Sequence, residues 1–153
     1  MKTYISAIIF AICTLTAVAQ TRSLFDSDWQ FTLCSDSLCP AFPDATVNWR
    51  QVTLPHDWSI EGGFNKENPS GGDGGYLPCG TGWYRKVFRI TKADKEKRLW
   101  LYFEGVYMNS AVYVNGKLVG GHPYGFSSFF VDITDFVSYD TQNTVAVRVD
   151  NSL

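Results

Sequence analysis

His56 and Asp57 stand side by side in the sequence Leu54-Pro55-His56-Asp57-Trp58, and a histidine beside a carboxylate could serve as a base with its orienting partner. On an extended backbone, neighbouring side chains point to opposite faces, so adjacency works against that pairing. A structural role fits better: Pro55 fixes a turn, and His56 or Asp57 satisfies loop amides. Cys34, Cys39 and Cys79 with His56 and His122 could in principle hold a metal, but no pair has the two-residue spacing that zinc sites favour. No metal and no cofactor is expected. Trp58, Tyr76, Trp83 and Tyr84 could stack on sugar rings through their apolar faces, whereas Trp83, Trp100 and Phe103 read as core. Asp73 lies between glycine pairs, where its carboxylate could accept hydrogen bonds from hydroxyls or touch a cation, although a flexible turn is the plainer reading.

These candidates must be held by something, and the composition limits what. Of 153 residues, 16% are aromatic and 45% hydrophobic, with 13 Lys plus Arg against 15 Asp plus Glu. Such a chain is globular, and with a net charge of −2 it has no basic footprint for nucleic acid. It is too short for a large catalytic barrel, which takes roughly 250 residues. The first residues carry Lys2, then a mostly apolar run from Tyr4 to Val18 closing on Ala17-Val18-Ala19. That is the pattern of a secretory signal peptide over residues 1–19, shorter and more polar than a membrane span. The product is expected to be secreted or periplasmic, with no membrane association after removal of the signal. In that compartment Cys34 and Cys39 are close enough for a small loop bridge, leaving Cys79 free or paired elsewhere.

From residue 20 onward the pattern is strands and turns, with hardly a helix signal. Trp29 to Leu33, Trp49 to Leu54 and Trp83 to Ile90 read as strands. Leu99 to Glu104 alternates with both faces largely apolar, which predicts a strand covered on both sides. Ala111 to Val114, Asn115-Gly116 and Lys117 to Val119 form a hairpin signature, because both turn residues tolerate positive φ. Phe129 to Ile133 follows, and then Val145, Val147 and Val149 alternate with Ala146, Arg148 and Asp150 to give one polar face. Together these predict an all-β fold, an antiparallel sandwich of jelly-roll kind, over residues 20–153. The outlier is Gly62 to Gly82, which holds 8 of the 13 glycines and no convincing strand. A loop of that length in a compact domain is usually functional or disordered.

Several stretches resemble the N-terminal sugar-binding domain of glycoside hydrolase family 2. They are Trp49 to Trp58 (WRQVTLPHDW), Gly80 to Phe88 (GTGWYRKVF), Phe103 to Val106 with Val112 to Gly116, Gly120 to Phe126, and Val147 to Asn151. The motifs recur in order over Leu24 to Leu153, and the likeness is to exported β-galactosidases of the family. The resemblance implies a jelly-roll sandwich placed before an immunoglobulin-like domain and a catalytic barrel. The barrel carries two glutamates that act in a retaining double displacement. Glu61, Glu67, Glu96 and Glu104 match neither, so no catalytic residue is assigned. Some relatives place an Asn from the loop before the TG.Y strand in the sugar site; the matching position here is Cys79. That departure removes one hydrogen-bonding amide, and a second family contact falls beyond Leu153. Asp73, Tyr76 and Cys79 are the candidate substrate-binding residues.

Two functions then compete. One is the accessory sandwich of a β-galactosidase-like hydrolase, inert without its barrel, with a β-galactoside-type carbohydrate and that barrel as partners. The other is a stand-alone carbohydrate-binding or lectin-like module. The chain stops at Asn151-Ser152-Leu153, directly after a strand-like run, which favours the first. Processing is open to direct measurement: the intact mass of the exported product should place Gln20 at its N-terminus, and a product still starting at Met1 would contradict the signal reading.

Overall fold

A computed structural model describes residues 20–34 and 47–152. The signal segment, Cys39 and Leu153 lie outside the described residues, so the Cys34–Cys39 bridge does too. Cys34 is disulfide-bonded and Cys79 is a free thiol. The strands are β1 (Trp29–Leu33), β2 (Arg50–Val52), β3 (Thr81–Arg89), β4 (Trp100–Phe103), β5 (Ser110–Val114), β6 (Lys117–His122), β7 (Phe129–Asp132) and β8 (Gln142–Asp150). One short helix, α1 (Trp58–Gly62), interrupts them. Six strands form one sheet in the order β2-β1-β3-β8-β5-β6, and β4 pairs with β7 in a second; all these pairings are antiparallel. The architecture is the expected sandwich, with sheets of very unequal width.

Alternation selects the inner face of the large sheet. Gly82, Tyr84 and Phe88 of β3 sit opposite Val149, Val147 and Asn143 of β8. Phe31 pairs with Tyr84 on one side, and Val112 with Val147 on the other. These residues join Val131 and Ile133 from the β7 side, with Leu101 and Phe103 of β4 packed against them. A two-stranded sheet cannot cover six strands, and α1 closes part of the gap. Trp58 is buried and stacks on Phe31 at 5.6 Å between ring centroids. That stack requires a glycine at 82, where a Cβ would lie 2.8 Å from the Phe31 ring and 3.3 Å from Trp58. The Asn115-Gly116 turn joins β5 to β6 as expected, with φ of 50° and 79°.

Three sequence expectations change. The Trp49–Leu54 strand contracts to Arg50–Val52, because β1 offers partners only from Trp29 to Phe31. Asp57 caps a helix the sequence pattern did not show, accepting from the Ser59 amide at 2.8 Å. The third concerns β4, which is not covered on both faces, and Trp100 is not core. Trp100 and Tyr102 are 47% and 37% exposed, because among the described residues β7 is the one strand paired with β4 and no second sheet covers their outer side. The rings cover one another instead: Tyr102 stacks on Phe130 at 4.5 Å, while Arg22 lies over Tyr102 and Arg98 over Trp100. Trp83 is buried as expected, but on the opposite face from the main cluster, with the Tyr113 ring 5.4 Å away.

Deleting a ring from the core should therefore cost far more than deleting one from the outer face. Phe31→Ala should lower unfolding free energy by about 3–5 kcal/mol, and Trp100→Ala by less than about 1 kcal/mol. Chemical denaturation of the two variants measures the difference, and equal losses would contradict this placement of the core.

Candidate functional site

The two ends of the sandwich differ in chemistry. At one end lie the Asn115-Gly116 turn and the segment 91–98, where Lys92, Asp94, Lys95, Glu96, Lys97 and Arg98 crowd a solvated loop. At the other end β3 and β5 begin while β1, β6 and β8 finish. That end carries the loop 62–80, the β4–β5 and β6–β7 connections, and residues 151–152. The exposed rings there are Phe64, Tyr76, Tyr107, Tyr124 and Phe126. Among described residues, loops 62–80, 104–109 and 122–128 contribute a single Lys or Arg, Lys66.

The glycine-rich loop is an ordered succession of turns rather than a flexible linker. Amides of Asn68, Gly71, Gly74, Gly75 and Leu77 each donate three or four residues back, to Asn65, Asn68, Ser70, Gly72 and Gly74. Tyr76 is the hub. Its amide donates to the Gly71 carbonyl at 2.7 Å, and its carbonyl accepts from the Asn65 amide and from Asn68 Nδ2. Its φ of 56° is strained for a side chain of that size, and the ring remains partly exposed. Ser70 Oγ donates to the Leu77 carbonyl at 2.6 Å and closes the base of the loop. Asp73 is exposed at the tip with no hydrogen bond or ion pair to any described group. Cys79 is half-buried where the loop rejoins β3. The three predicted site residues thus share one loop: Asp73 open to solvent, Tyr76 fixed through its backbone, Cys79 at the anchor.

The anchor is built by Asn151, which the sequence reading left within a motif without a role. Its amide donates to the Gly80 carbonyl at 3.0 Å, and its Oδ1 accepts from the Gly80 amide at 2.8 Å. Its Nδ2 donates to Ser59 Oγ, which in turn donates to the Pro78 carbonyl. One side chain therefore ties β8, the loop and α1 together.

Beneath α1 lies a polar network. His56 Nδ1 is 2.7 Å from Tyr84 Oη, and its Nε2 is 2.9 Å from an Arg50 nitrogen and 3.2 Å from Glu61. Arg50 also pairs with Glu61 directly. Burial, with the Asp57 carboxylate nearby, pushes the Tyr84 phenol well above its ordinary value, so it stays protonated. Burial works to raise the Glu61 carboxyl, but hydrogen bonds and charge from Arg50 and His56 outweigh it and hold it below the usual range. Each member has a partner, which is a structural network and no base poised for chemistry. Trp58, Trp83 and Tyr84 are buried and cannot stack on a sugar; Tyr76 can. Among the described residues, no group of three or more His, Cys, Asp or Glu is placed to hold a metal.

Removing the Asn151 side chain breaks two of its bonds and leaves the Gly80 amide without that partner. Asn151→Ala should cost about 1–3 kcal/mol and speed hydrogen exchange at Gly80 and along the loop. Unchanged exchange there would show that the loop holds itself in place.

Comparison with known proteins fits this geometry. Residues 80–153 match the family profile described as the glycosyl hydrolase 2 galactose-binding domain-like domain. The chain is 52% identical over 132 residues to the β-galactosidase BoGH2A of Bacteroides ovatus, covering 86% of this chain and 15% of that protein. It is 32% identical over 151 residues to a β-glucuronidase of Bacteroides fragilis, covering 99% and 19%. Among solved structures, a glycosyl hydrolase family 2 member from Bacteroides cellulosilyticus aligns with a TM-score of 0.72 at 40% identity, over 84% of this chain and 17% of that one. The chain spans less than a fifth of the length of these relatives. Through this sandwich, the chain belongs to glycoside hydrolase family 2.

Proposed function

We propose that the chain is the accessory sandwich of an exported family 2 glycosidase that acts on β-galactosides, and that its loop end faces the catalytic part of the full-length parent. The observation that carries this reading is the pinned loop 62–80. An ordered, charge-poor display of Asp73, Tyr76 and Cys79 is a surface suited to meeting a partner, whereas the opposite end is densely charged. The similarity to a β-galactosidase at 52% identity supports the galactoside, and so does the pairing of the arginines near the loop end with carboxylates of this chain. A uronate carboxylate calls for Arg or Lys; the loops 62–80, 104–109 and 122–128 supply Lys66, while the neighbouring Arg22, Arg50 and Arg148 are each paired with a carboxylate of this chain. Export rests on the apolar leader after Lys2.

The catalytic pair of a retaining glycosidase needs two carboxyl groups about 5–5.5 Å apart. Glu61 is committed to Arg50 and His56, and Glu104 to Arg22, and neither pairs with a second carboxylate. The 153-residue chain should therefore not hydrolyse a chromogenic β-galactoside, while the full-length parent should. Deleting Gly71 to Gly75 from the parent should lower kcat/KM about tenfold or more with the sandwich still folded, since no strand is touched. Full activity in that folded deletion would reduce the loop to a connector, and hydrolysis by the chain alone would refute the division of labour.

A further inference from the structure

The end of the sandwich away from the glycine-rich loop carries a covalently reactive pair. Asn115 is the one asparagine of the chain that a glycine follows. Such an asparagine is open to attack on its own side-chain amide, because no Cβ on the next residue hinders the approach. The Gly116 nitrogen gives up its proton to hydroxide and adds to Asn115 Cγ. The Cγ–Nδ2 bond then breaks, and the departing nitrogen takes a proton from water and leaves as ammonia. Water opens the resulting five-membered imide at either carbonyl, giving aspartate or isoaspartate. The step needs no oxidant or metal, and both turn residues are exposed, so water and hydroxide reach them.

In the folded chain the partners of Asn115 oppose this chemistry. Its Nδ2 donates to the Phe136 carbonyl and to Asn143 Oδ1, each at 2.8 Å, and its Oδ1 accepts from the Thr144 amide at 2.9 Å. Closing the imide requires the side chain to fold back over its own next peptide, whereas these bonds hold it out toward β8 and the segment after β7. The partners are themselves fixed. Asn143 is buried, its Oδ1 accepts from the Ser138 amide, and its Nδ2 donates to the Ser138 carbonyl. The product cannot take the place of the asparagine. An aspartate at 115 sets a carboxylate oxygen against the Phe136 carbonyl and Asn143 Oδ1, three acceptors with no hydrogen among them. Asn143 has no way to turn its amide over in response, because Ser138 already uses both of its polar atoms.

We propose that Asn115 is a deamidation site gated by the fold: it reacts only while the far end of the β3–β8 ladder is open, and its reaction keeps that end from closing again. The test incubates the 153-residue chain in mildly alkaline buffer, folded and in denaturing urea, and separates aspartate and isoaspartate forms of the peptide that holds residue 115. Conversion should be about tenfold or more slower in the folded chain than in urea. Asn143→Ala removes a partner of Nδ2 and should speed conversion in the folded chain about threefold or more. Should that variant fail to fold, low urea replaces it: conversion should rise in step with hydrogen exchange at the Thr144 amide. Asn115→Asp should speed exchange at the Ser138 amide about tenfold, and Asn115→Gly should show no conversion at the turn. Equal rates in the folded chain and in urea, no conversion in urea, or an unchanged rate in folded Asn143→Ala overturns the proposal. So does conversion that stays flat while Thr144 exchange rises, or unchanged Ser138 exchange in Asn115→Asp.

Discussion

Nine consecutive residue pairs join β3 to β8, from Thr81 opposite Asp150 to Arg89 opposite Gln142. Because side chains alternate, a slip of one residue in this ladder would turn Gly82, Tyr84 and Phe88 away from the face that Val149, Val147 and Asn143 line. Both ends of the ladder are locked by asparagines. At the loop end Asn151 closes onto Gly80. At the far end Asn143 is 1% exposed and fully engaged: Oδ1 accepts from the Ser138 amide and from Asn115 Nδ2, while Nδ2 donates to the Ser138 carbonyl. Burying an amide group is tolerable only with such partners. The same side chains fix the register and shape the surface at each end.

Unequal sheets explain most of what surrounds that ladder. With β4 and β7 alone facing six strands, the β1 side of the core must be covered by chain that is not strand. The turn after Leu54 supplies it: Trp58 packs on Phe31, and the Arg50, His56, Glu61 and Tyr84 network sits alongside with its polar groups paired. The approach of Phe31 and Trp58 over Gly82 places α1 where Ser59 can reach Asn151 and the Pro78 carbonyl. Core packing and loop anchoring are thus one arrangement, which is why a loop with so many glycines is ordered.

Much of this was legible in the sequence. Period-two alternation in β8, the Asn-Gly turn and the glycine-rich outlier all mark local physics, and each lies where the pattern put it. The failures are instructive. Trp100 and Tyr102 look like core because alternation reports a hydrophobic face, not whether a second layer exists to cover it. The helix at Trp58–Gly62 is five residues long, too short for a periodic signal; its one clue was Asp57 ahead of Ser59 and Ile60. Asn151 could not be singled out, since its partners Gly80 and Ser59 are 71 and 92 residues away in sequence. Asp73 and Tyr76 were found as members of an unusual loop, and Cys79 through the family resemblance, at the position where some relatives carry Asn.

On the proposed reading the two ends of the sandwich do different work: a charged end is left to solvent, and the anchored loop end is directed at the remainder of the parent. Hydrogen exchange compared between the isolated chain and the full-length parent tests this directly. Amides in residues 62–82 and 151–152 should exchange more slowly in the parent, while those in 92–98 and 115–117 should not change. Protection confined to 92–98 and 115–117, or to the outer side of β4 and β7, would contradict it.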